Sequence, residues 1–234
     1  MTQTSVRENL SRIQDRIAGA AARARRRTED ITLIGVSKTH PASAIREAYE
    51  AGIRHFGENR VQEWEGKCAG TEGLAATWHL IGHLQSNKTT RAARLFHSID
   101  SVDDFAIAQR LDRARAEAGI TDKLRVLIEV RVAPEETKSG VEINGLFALA
   151  ERFADLPRLE LAGLMCIPPF LEEAERVRPY FRRLRELRDE LAGKLAVELP
   201  VLSMGMSHDF EVAIEEGATE VRVGTALFGA RDIK

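Results

Sequence analysis

Apolar residues in this chain follow a helical period at the start and later form short continuous runs as well. The first stripe recurs every three or four residues and predicts a long amphipathic helix: Val6, Leu10, Ile13, Ile17, Ala20 and Ala24. Ser5 and Glu8 stand three residues apart in front of it and match a capping box. The chain is therefore predicted to open with a helix that begins just after Ser5.

After this helix, short apolar runs alternate with helical stripes to the end of the chain. The first of them, with Leu33, Ile34 and Val36, lacks a polar face, which is typical of a parallel strand that is buried on both sides. The predicted strands lie at about residues 33–36, 54–59, 77–82, 95–100, 124–132, 161–167, 201–205 and 220–224. Ser86-Asn87, Ser101 and Ser207 are predicted to cap the helices that follow three of these runs.

This alternation predicts the fold, because strands and helices in turn form a parallel sheet covered by helices. About eight such units in 234 residues fit a (β/α)8 barrel, for which ~250 residues are usual. We therefore predict a single α/β domain over residues 1–234, a (β/α)8 TIM-type barrel with an extra N-terminal helix. The alternative, an open doubly wound sheet, is disfavoured because no G-x-G-x-x-G follows the first strand.

Composition and charge narrow the classes of function. The formal net charge of -2 provides no electrostatic basis for binding nucleic acid or an anionic membrane surface. No stretch approaches the ~18 consecutive apolar residues of a membrane span. Cys68 and Cys166 are far apart in sequence and form no metal or redox motif, so a cytoplasmic protein is predicted.

The first candidate for chemistry is Lys38, which follows the first predicted strand and precedes Pro41 at the start of a helix. This position places the stem of the side chain in the core and its amine at the mouth of the sheet. Burial there lowers the pKa of an ammonium group, and the neutral amine attacks carbonyls to give Schiff bases. An isolated lysine at a strand end is more often solvated, so this interpretation depends on the rest of the chain.

The loops after the seventh and eighth predicted strands carry a candidate phosphate site. Barrels place their sites at the carboxyl ends of the strands and commonly bind phosphate in these two loops. Ser207 lies at a helix N-terminus in the first loop, and Gly224 and Thr225 offer close backbone approach and a hydroxyl donor in the second. Either feature alone is typical of ordinary capping or a tight turn, whereas the two together favour an anion site.

A phosphate site opposite an amine predicts a ligand with a phosphate at one end and a carbonyl at the other. Pyridoxal 5′-phosphate and phosphosugars held as Schiff bases both meet this description. Arg222, on the eighth predicted strand, could meet a pyridine nitrogen, but an inward arginine paired with a carboxylate explains the spacing equally well. The residues therefore leave both classes of ligand open.

Several long motifs stand in order along the chain, from about the first strand to its end: 36–39 (Val-Ser-Lys-Thr), 56–59 (Phe-Gly-Glu-Asn), 78–88 (Trp-His-Leu-Ile-Gly-His-Leu-Gln-Ser-Asn-Lys), 97–100 (His-Ser-Ile-Asp), 163–168 (Gly-Leu-Met-Cys-Ile-Pro), 203–207 (Ser-Met-Gly-Met-Ser) and 222–229 (Arg-Val-Gly-Thr-Ala-Leu-Phe-Gly). Together they resemble the pyridoxal phosphate homeostasis protein family. That family resembles the N-terminal barrel of alanine racemase and lacks its second, β-rich domain.

The resemblance implies that the cofactor is pyridoxal 5′-phosphate, bound, stored and handed over to apo-enzymes with no catalytic residue. The residues it assigns to the cofactor are Lys38 (Schiff base, an internal aldimine), Asn59 and Met204 (ring), Ser207, Gly224 and Thr225 (phosphate) and Arg222 (pyridine nitrogen). An arginine opposite that nitrogen keeps it unprotonated and weakens the ring as an electron sink.

One departure from the family pattern lies after the fifth strand, where Arg131 takes the position of an asparagine. The glutamate, lysine and glycine that usually follow are present as Glu135 or Glu136, Lys138 and Gly140. The departure weakens any prediction of ring or substrate contacts from this strand, and it leaves the family assignment unchanged.

Other candidate residues have simpler interpretations. Lys88 and Lys138 lie in polar sequence that is typical of a solvated ammonium, and a second cofactor site at either is left open. His79 and His83 on one strand would lie about 13 Å apart at ~3.3 Å per residue, too far for one metal ion. We predict packing or hydrogen-bonding roles for both histidines and no metal site.

Three functions follow for testing. The preferred hypothesis is a cytoplasmic barrel that stores and delivers pyridoxal 5′-phosphate with little or no catalysis. The second is a minimal amino-acid racemase dependent on the same cofactor, disfavoured because racemases take a tyrosine acid/base from a second domain and Tyr49 and Tyr180 are not placed for it. The third is a phosphosugar aldolase-like barrel that uses Lys38 as its amine. Recipient enzymes, affinity and the choice between monomer and homodimer are left open.

Overall fold

Eight parallel strands close into a ring in the computed structural model, which describes residues 5–133 and 139–229. The order around the ring follows the chain, and β4 pairs with β5 to complete it. A two-residue strand, β6, pairs with β5 beside the ring. The strands are β1 (Thr32–Val36), β2 (His55–Glu58), β3 (Thr77–Leu80), β4 (Ser98–Val102), β5 (Leu124–Arg131), β6 (Val141–Glu142), β7 (Leu159–Met165), β8 (Val201–Ser203) and β9 (Glu220–Val223).

Helices cover the outside of the ring, and the predicted (β/α)8 barrel is confirmed. They are α1 (Val6–Arg23), α2 (Ala42–Ala51), α3 (Val61–Cys68), α4 (Thr89–Leu95), α5 (Phe105–Glu117), α6 (Ile143–Glu151), α7 (Arg178–Leu195), α8 (Phe210–Glu215) and α9 (Thr225–Phe228). The first of these is the extra N-terminal helix, and it packs against α8 and α9. Within the described ranges, no helix is both long enough and apolar enough to cross a membrane.

The predicted start of α1 is also confirmed. The Glu8 backbone N–H donates to Ser5 Oγ over 3.3 Å, and the Ser5 N–H donates to Glu8 Oε2 over 3.1 Å, which completes the capping box. The apolar stripe from Val6 to Ala20 is buried, and Ala21 is buried in place of the predicted Ala24.

Neither face of the ring strands is exposed to solvent, because one side of each contacts helices and the other side contacts the ring interior. Every residue of β4 and β9 is buried, including polar residues such as Asp100 and Glu220. Double burial therefore does not make every strand a continuous apolar run, and polar side chains remain in the ring interior.

The three helix caps that were predicted after strands, at Ser86-Asn87, Ser101 and Ser207, are wrong. Ser101 lies within β4 and donates to the Gly82 carbonyl over 2.7 Å, and Asp104 caps α5 instead. Ser86 and Asn87 form a short 3-10 turn, so that α4 begins at Thr89. Each loop turns two or three residues later than its first serine suggests.

Ser207, the third predicted cap, and the fourth predicted strand also differ from their predictions. Ser207 lies two residues before Asp209, the residue that precedes α8 and whose side chain accepts from the Met206 N–H over 2.6 Å. Leu95 ends α4, and β4 begins at Ser98, so the predicted strand at 95–100 is shifted by three residues. A helix that continued past the expected boundary accounts for this shift.

The interior of the ring toward the amino ends of the strands holds a buried polar network. His79 contacts Asp100 Oδ2 through Nδ1 at 3.0 Å and His55 Nδ1 through Nε2 at 3.1 Å. Arg125 donates to Glu220 over 2.5 Å. Ligand atoms of His79, Asp100 and Glu220 lie within 4.8 Å of one another, but the Arg125 guanidinium already neutralises Glu220. The predicted hydrogen-bonding role of His79 is confirmed.

Candidate functional site

A cavity of about 460 Å³ opens at the carboxyl ends of the strands. This is the end at which barrels of this kind carry their sites. Six of the seven predicted cofactor residues line it: Lys38, Asn59, Ser207, Arg222, Gly224 and Thr225. The fold therefore brings to one place residues that are spread over most of the chain.

Lys38 follows β1 by two residues, as the apolar run predicts. Its side chain is partly buried and lines the cavity, while Ser37 before it is fully buried. Thr39 after it has φ 68°, a left-handed backbone that residues with a side chain rarely adopt. The lysine therefore stands at a sharp change of chain direction between β1 and α2.

One hydroxyl oxygen and one carbonyl oxygen hold the Arg222 guanidinium in one orientation. It lies on β9, is 3% exposed, and donates from Nη1 to Ser203 Oγ and from Nη2 to the Cys166 carbonyl, both over 2.8 Å. Both acceptors come from neighbouring strand ends. The permanent positive charge of the guanidinium therefore sits at a defined point inside the cavity.

The predicted phosphate residues lie together. The Ala226 N–H donates to Ser207 Oγ over 3.3 Å, which ties the loop after β8 to the loop after β9. A Cβ at Gly224 would lie 3.4 Å from both Cβ and the carbonyl oxygen of Val36, so the backbone at Gly224 lies close against the end of β1. Thr225 is exposed, and its hydroxyl is accessible at the start of α9. This corner suits an anion that approaches the backbone closely.

Met204 differs from its prediction. It is fully buried in the hydrophobic core and is absent from the residues that line the cavity, whereas Met206 lines it. The reason is strand alternation, because Ser203 points inward to Arg222 and its neighbour must therefore point toward the helices.

Glu129 is a residue of the cavity that the sequence interpretation missed. It lies on β5, is 4% exposed, and lines the cavity together with Ser139. Burial raises the pKa of Glu129 to about 7, the carboxylate of Asp103 adds to the rise, and Arg222 opposes it. Glu129 is the one acidic residue within the predicted strand at β5, and that was the available signal, since a carboxyl is rarely buried without a partner.

This raised pKa predicts how stability depends on pH in the cofactor-free protein. The folded chain retains a proton on Glu129 that the unfolded chain releases between pH 4.5 and about 7. Stability from this group is therefore present below pH 4.5 and lost as pH rises through about 7. Glu129→Gln removes this loss. The free energy of unfolding of the variant should therefore exceed that of the wild type by about 2–3 kcal/mol near pH 8 and equal it near pH 4.5.

Urea unfolding of both proteins at the two pH values measures this difference. Glu160→Gln is the matched control, because Glu160 lies exposed on the neighbouring strand β7. The prediction would be contradicted if the free energies of unfolding of Glu129→Gln and the wild type differed by the same amount at both pH values.

The remaining candidates lie elsewhere. Lys88 is partly exposed and lines a neighbouring cavity of about 900 Å³ with His83. Tyr49 packs its ring under Arg54, 4.0 Å from the guanidinium carbon, and is outside both lining sets, as is Tyr180. Lys138, Glu135 and Glu136 lie outside the described residues.

The departure at Arg131 has a structural consequence of its own. Its Nη2 donates to the Gly140 carbonyl over 3.2 Å, so the side chain folds back on the loop after β5 and is not among the residues that line the cavity. The Gly140 N–H in turn donates to Asp103 over 3.1 Å. Arg131 therefore orders the described end of this loop.

Comparisons with known proteins bear on the family and the fold of the chain. The family model described as alanine racemase, N-terminal domain, matches residues 8–232. The pyridoxal phosphate homeostasis protein of Aquifex aeolicus is 50% identical over 224 residues, which cover 96% of this chain and 97% of that protein. PipY of Synechococcus elongatus, solved with PLP bound, has a TM-score of 0.81 at 43% identity over 91% of this chain and 100% of its own. An alanine racemase of Clostridium difficile, 16% identical, shares the fold with a TM-score of 0.71, over 97% of this chain and 57% of its own.

Proposed function

Because this chain belongs to the pyridoxal phosphate homeostasis protein family, we propose that it binds pyridoxal 5′-phosphate at the Lys38 cavity and serves to store and deliver it. The observation that carries the proposal is the single cavity that gathers an amine, a buried guanidinium and a hydroxyl-lined corner. PipY, solved with PLP bound at 43% identity, supports the same ligand. A phosphosugar lacks a ring nitrogen for Arg222 to face, which makes the third hypothesis weaker.

Lys38 is the group that we expect to hold the cofactor covalently. Its neutral amine adds to the aldehyde carbon and the adduct loses water, which leaves a Schiff base that water or another amine can reverse. Reversibility suits storage and delivery, because transfer to the lysine of a recipient apo-enzyme exchanges one such bond for another.

The other lining residues bind and orient. Ser207, Gly224 and Thr225, which line the cavity, would offer hydroxyls and close backbone approach to the phosphate, and Asn59 would lie beside the ring. Arg222, whose Nη1 donates to Ser203, would face the pyridine nitrogen. A permanently charged donor there disfavours protonation of that nitrogen, and the bound ring then withdraws electrons poorly. Such an environment favours holding the cofactor over turning over a substrate.

One observation favours a second candidate function, that of a minimal amino-acid racemase. Glu129 lines the same cavity with a pKa of about 7, so it exchanges protons readily at neutral pH. Incubation of the loaded protein with L-alanine in deuterated water tests this candidate. Incorporation of deuterium at the α-carbon, lost in Glu129→Gln, would favour the racemase, and unlabelled alanine would favour storage.

The proposed function predicts that the purified protein, incubated with pyridoxal 5′-phosphate, develops a visible absorption band. Borohydride reduction should then fix one pyridoxyl group, and peptide mapping should find its mass on Lys38. Incubation with an apo-enzyme in excess should remove the unreduced band and restore the enzyme's activity. A protein that stays colourless with added cofactor would overturn the proposal and leave the phosphosugar hypothesis.

A further inference from the structure

A buried cluster of charged side chains lies beside the Lys38 turn and is not among the residues that line the Lys38 cavity. Its centre is Lys67 on α3, whose residue is only 8% exposed. The ammonium nitrogen contacts Glu58 Oε1 at 2.8 Å, Glu63 Oε1 at 2.7 Å and the Ser37 carbonyl oxygen at 2.9 Å. All three donors of the ammonium group are therefore occupied.

The cluster holds the residues on both sides of Lys38. Before it, Ser37 accepts from Lys67 through its carbonyl and donates from Oγ to Glu58 over 2.7 Å. After it, the Thr39 backbone N–H donates to Glu63 Oε1. One oxygen of Glu63 thus links Thr39 to Lys67, and a single lysine restrains both peptide neighbours of Lys38.

The turn needs such restraint because Thr39 has a positive φ of 68°. A β-branched residue leaves this conformation readily when nothing holds it, since the extended region is lower in free energy. Thr39 itself is exposed, so packing of its side chain does not fix the backbone. Two hydrogen bonds oppose relaxation of the turn: the one from the Thr39 N–H to Glu63, and the one from the His40 N–H to the Ser37 carbonyl over 3.1 Å.

Charge in the cluster favours this arrangement. Burial raises the pKa of Glu58, with Lys67 opposing the rise, and its second oxygen makes no hydrogen bond to the described residues. Burial alone would also raise the pKa of Glu63, but the contacts with Lys67 and the Thr39 N–H outweigh it and lower that pKa. Glu63 therefore remains a carboxylate and keeps its hold on Thr39 over a wide range of pH.

We propose that Glu63 and Lys67 are positioning residues that hold the Lys38 turn in the orientation required for its amine to reach the cofactor aldehyde. The inference rests on the proposed function, because it concerns residues that support the lysine at which the Schiff base is proposed. Neither residue is expected to touch the cofactor itself. They act through the backbone of Ser37 and Thr39.

The test compares Glu63→Ala with Glu63→Gln, since the glutamine keeps an oxygen that can accept from the Thr39 N–H. Glu63 has a side chain that is 25% exposed, so both variants should fold. Glu65→Ala is the matched control on the same helix, because Glu65 pairs with Arg91 outside the cluster. Lys67→Met extends the series, since it keeps a long stem and removes the charge.

Two ligands separate positioning from general damage. Pyridoxal 5′-phosphate needs the amine, whereas pyridoxine 5′-phosphate has an alcohol in place of the aldehyde and reports on the rest of the site. Glu63→Ala should lower the affinity for pyridoxal 5′-phosphate by about tenfold, because a shifted amine forms the covalent bond less well. The affinity for pyridoxine 5′-phosphate should stay unchanged. Glu63→Gln and Glu65→Ala should stay close to the wild type with both ligands.

Amide hydrogen exchange of the cofactor-free protein supplies a readout that is independent of the ligand. Exchange of the Thr39 N–H should accelerate in Glu63→Ala and stay slow in Glu65→Ala. The proposal is overturned if Glu63→Ala keeps slow exchange and full affinity, or if it weakens both ligands equally. A wild type that binds neither ligand contradicts the proposed function instead, while the exchange experiment still decides whether Glu63 holds the turn.

Discussion

Lys38→Ala is expected to abolish the visible absorption band of the protein loaded with pyridoxal 5′-phosphate. Lys38 lines the cavity that also contains Arg222 and the Ser207 corner. Removal of the amine removes the covalent bond, while the noncovalent contacts of the phosphate and the ring remain. The affinity should therefore fall by about a hundredfold rather than disappear, since a reversible covalent bond adds a few kcal/mol.

The measurement combines spectroscopic titration with borohydride reduction and intact mass. Lys88→Ala is the matched control, because Lys88 is partly exposed and lines the neighbouring cavity instead. The control should keep the band and one pyridoxyl group per chain. A fixed pyridoxyl group on another lysine of the Lys38→Ala protein, at the level seen in the wild type, would contradict the assignment of Lys38.

Gly163→Ala is expected to destabilise the barrel more than any other alanine substitution at its glycines. Gly163 lies on β7 beside Val201 of β8, where the register between β5 and β7 shifts. A Cβ at this position would stand 1.9 Å from the Val201 carbonyl oxygen. Because the obstacle is a backbone atom in the strand ladder, the two strands must separate to relieve it.

We expect a loss of about 3 kcal/mol, which lowers Tm by about 10 °C in a protein of this size. Gly193→Ala is the matched control, because Gly193 lies within α7 and a Cβ there would meet no atom within 4 Å. That variant should gain about 0.5–1 kcal/mol from helix propensity. Thermal unfolding of the cofactor-free proteins measures both, and equal Tm values for the two variants would contradict the account.

Pattern in the sequence was sufficient for the barrel itself. The apolar run at β1 and the stripe of α1 are local features, and the alternation of such segments along the chain is typical of a parallel sheet covered by helices. Lys38 and the residues of the phosphate corner were equally accessible, since parallel strands deliver their carboxyl ends to one side. Position along a strand was enough to gather them.

Boundaries and side-chain directions at the loops were not accessible in the same way. The interpretation of Ser101 as a cap failed because β4 continued through it, and Met204 was assigned to the ring although strand alternation turns it toward the helices. A shift of one residue reverses the face on which a side chain lies. Small errors in register therefore become complete errors in role.

The sequence by itself determined the (β/α)8 architecture, the lysine at the end of the first strand and the two loops that carry Ser207, Gly224 and Thr225, because periodicity and strand order encode all three. Tertiary structure alone decided which groups surround them. Glu129 enters the cavity, and Lys67 and Glu63 support the Lys38 turn, through contacts between residues on different elements. Burial and charge at such contacts depend on three-dimensional packing, and no local pattern in the chain carries that information.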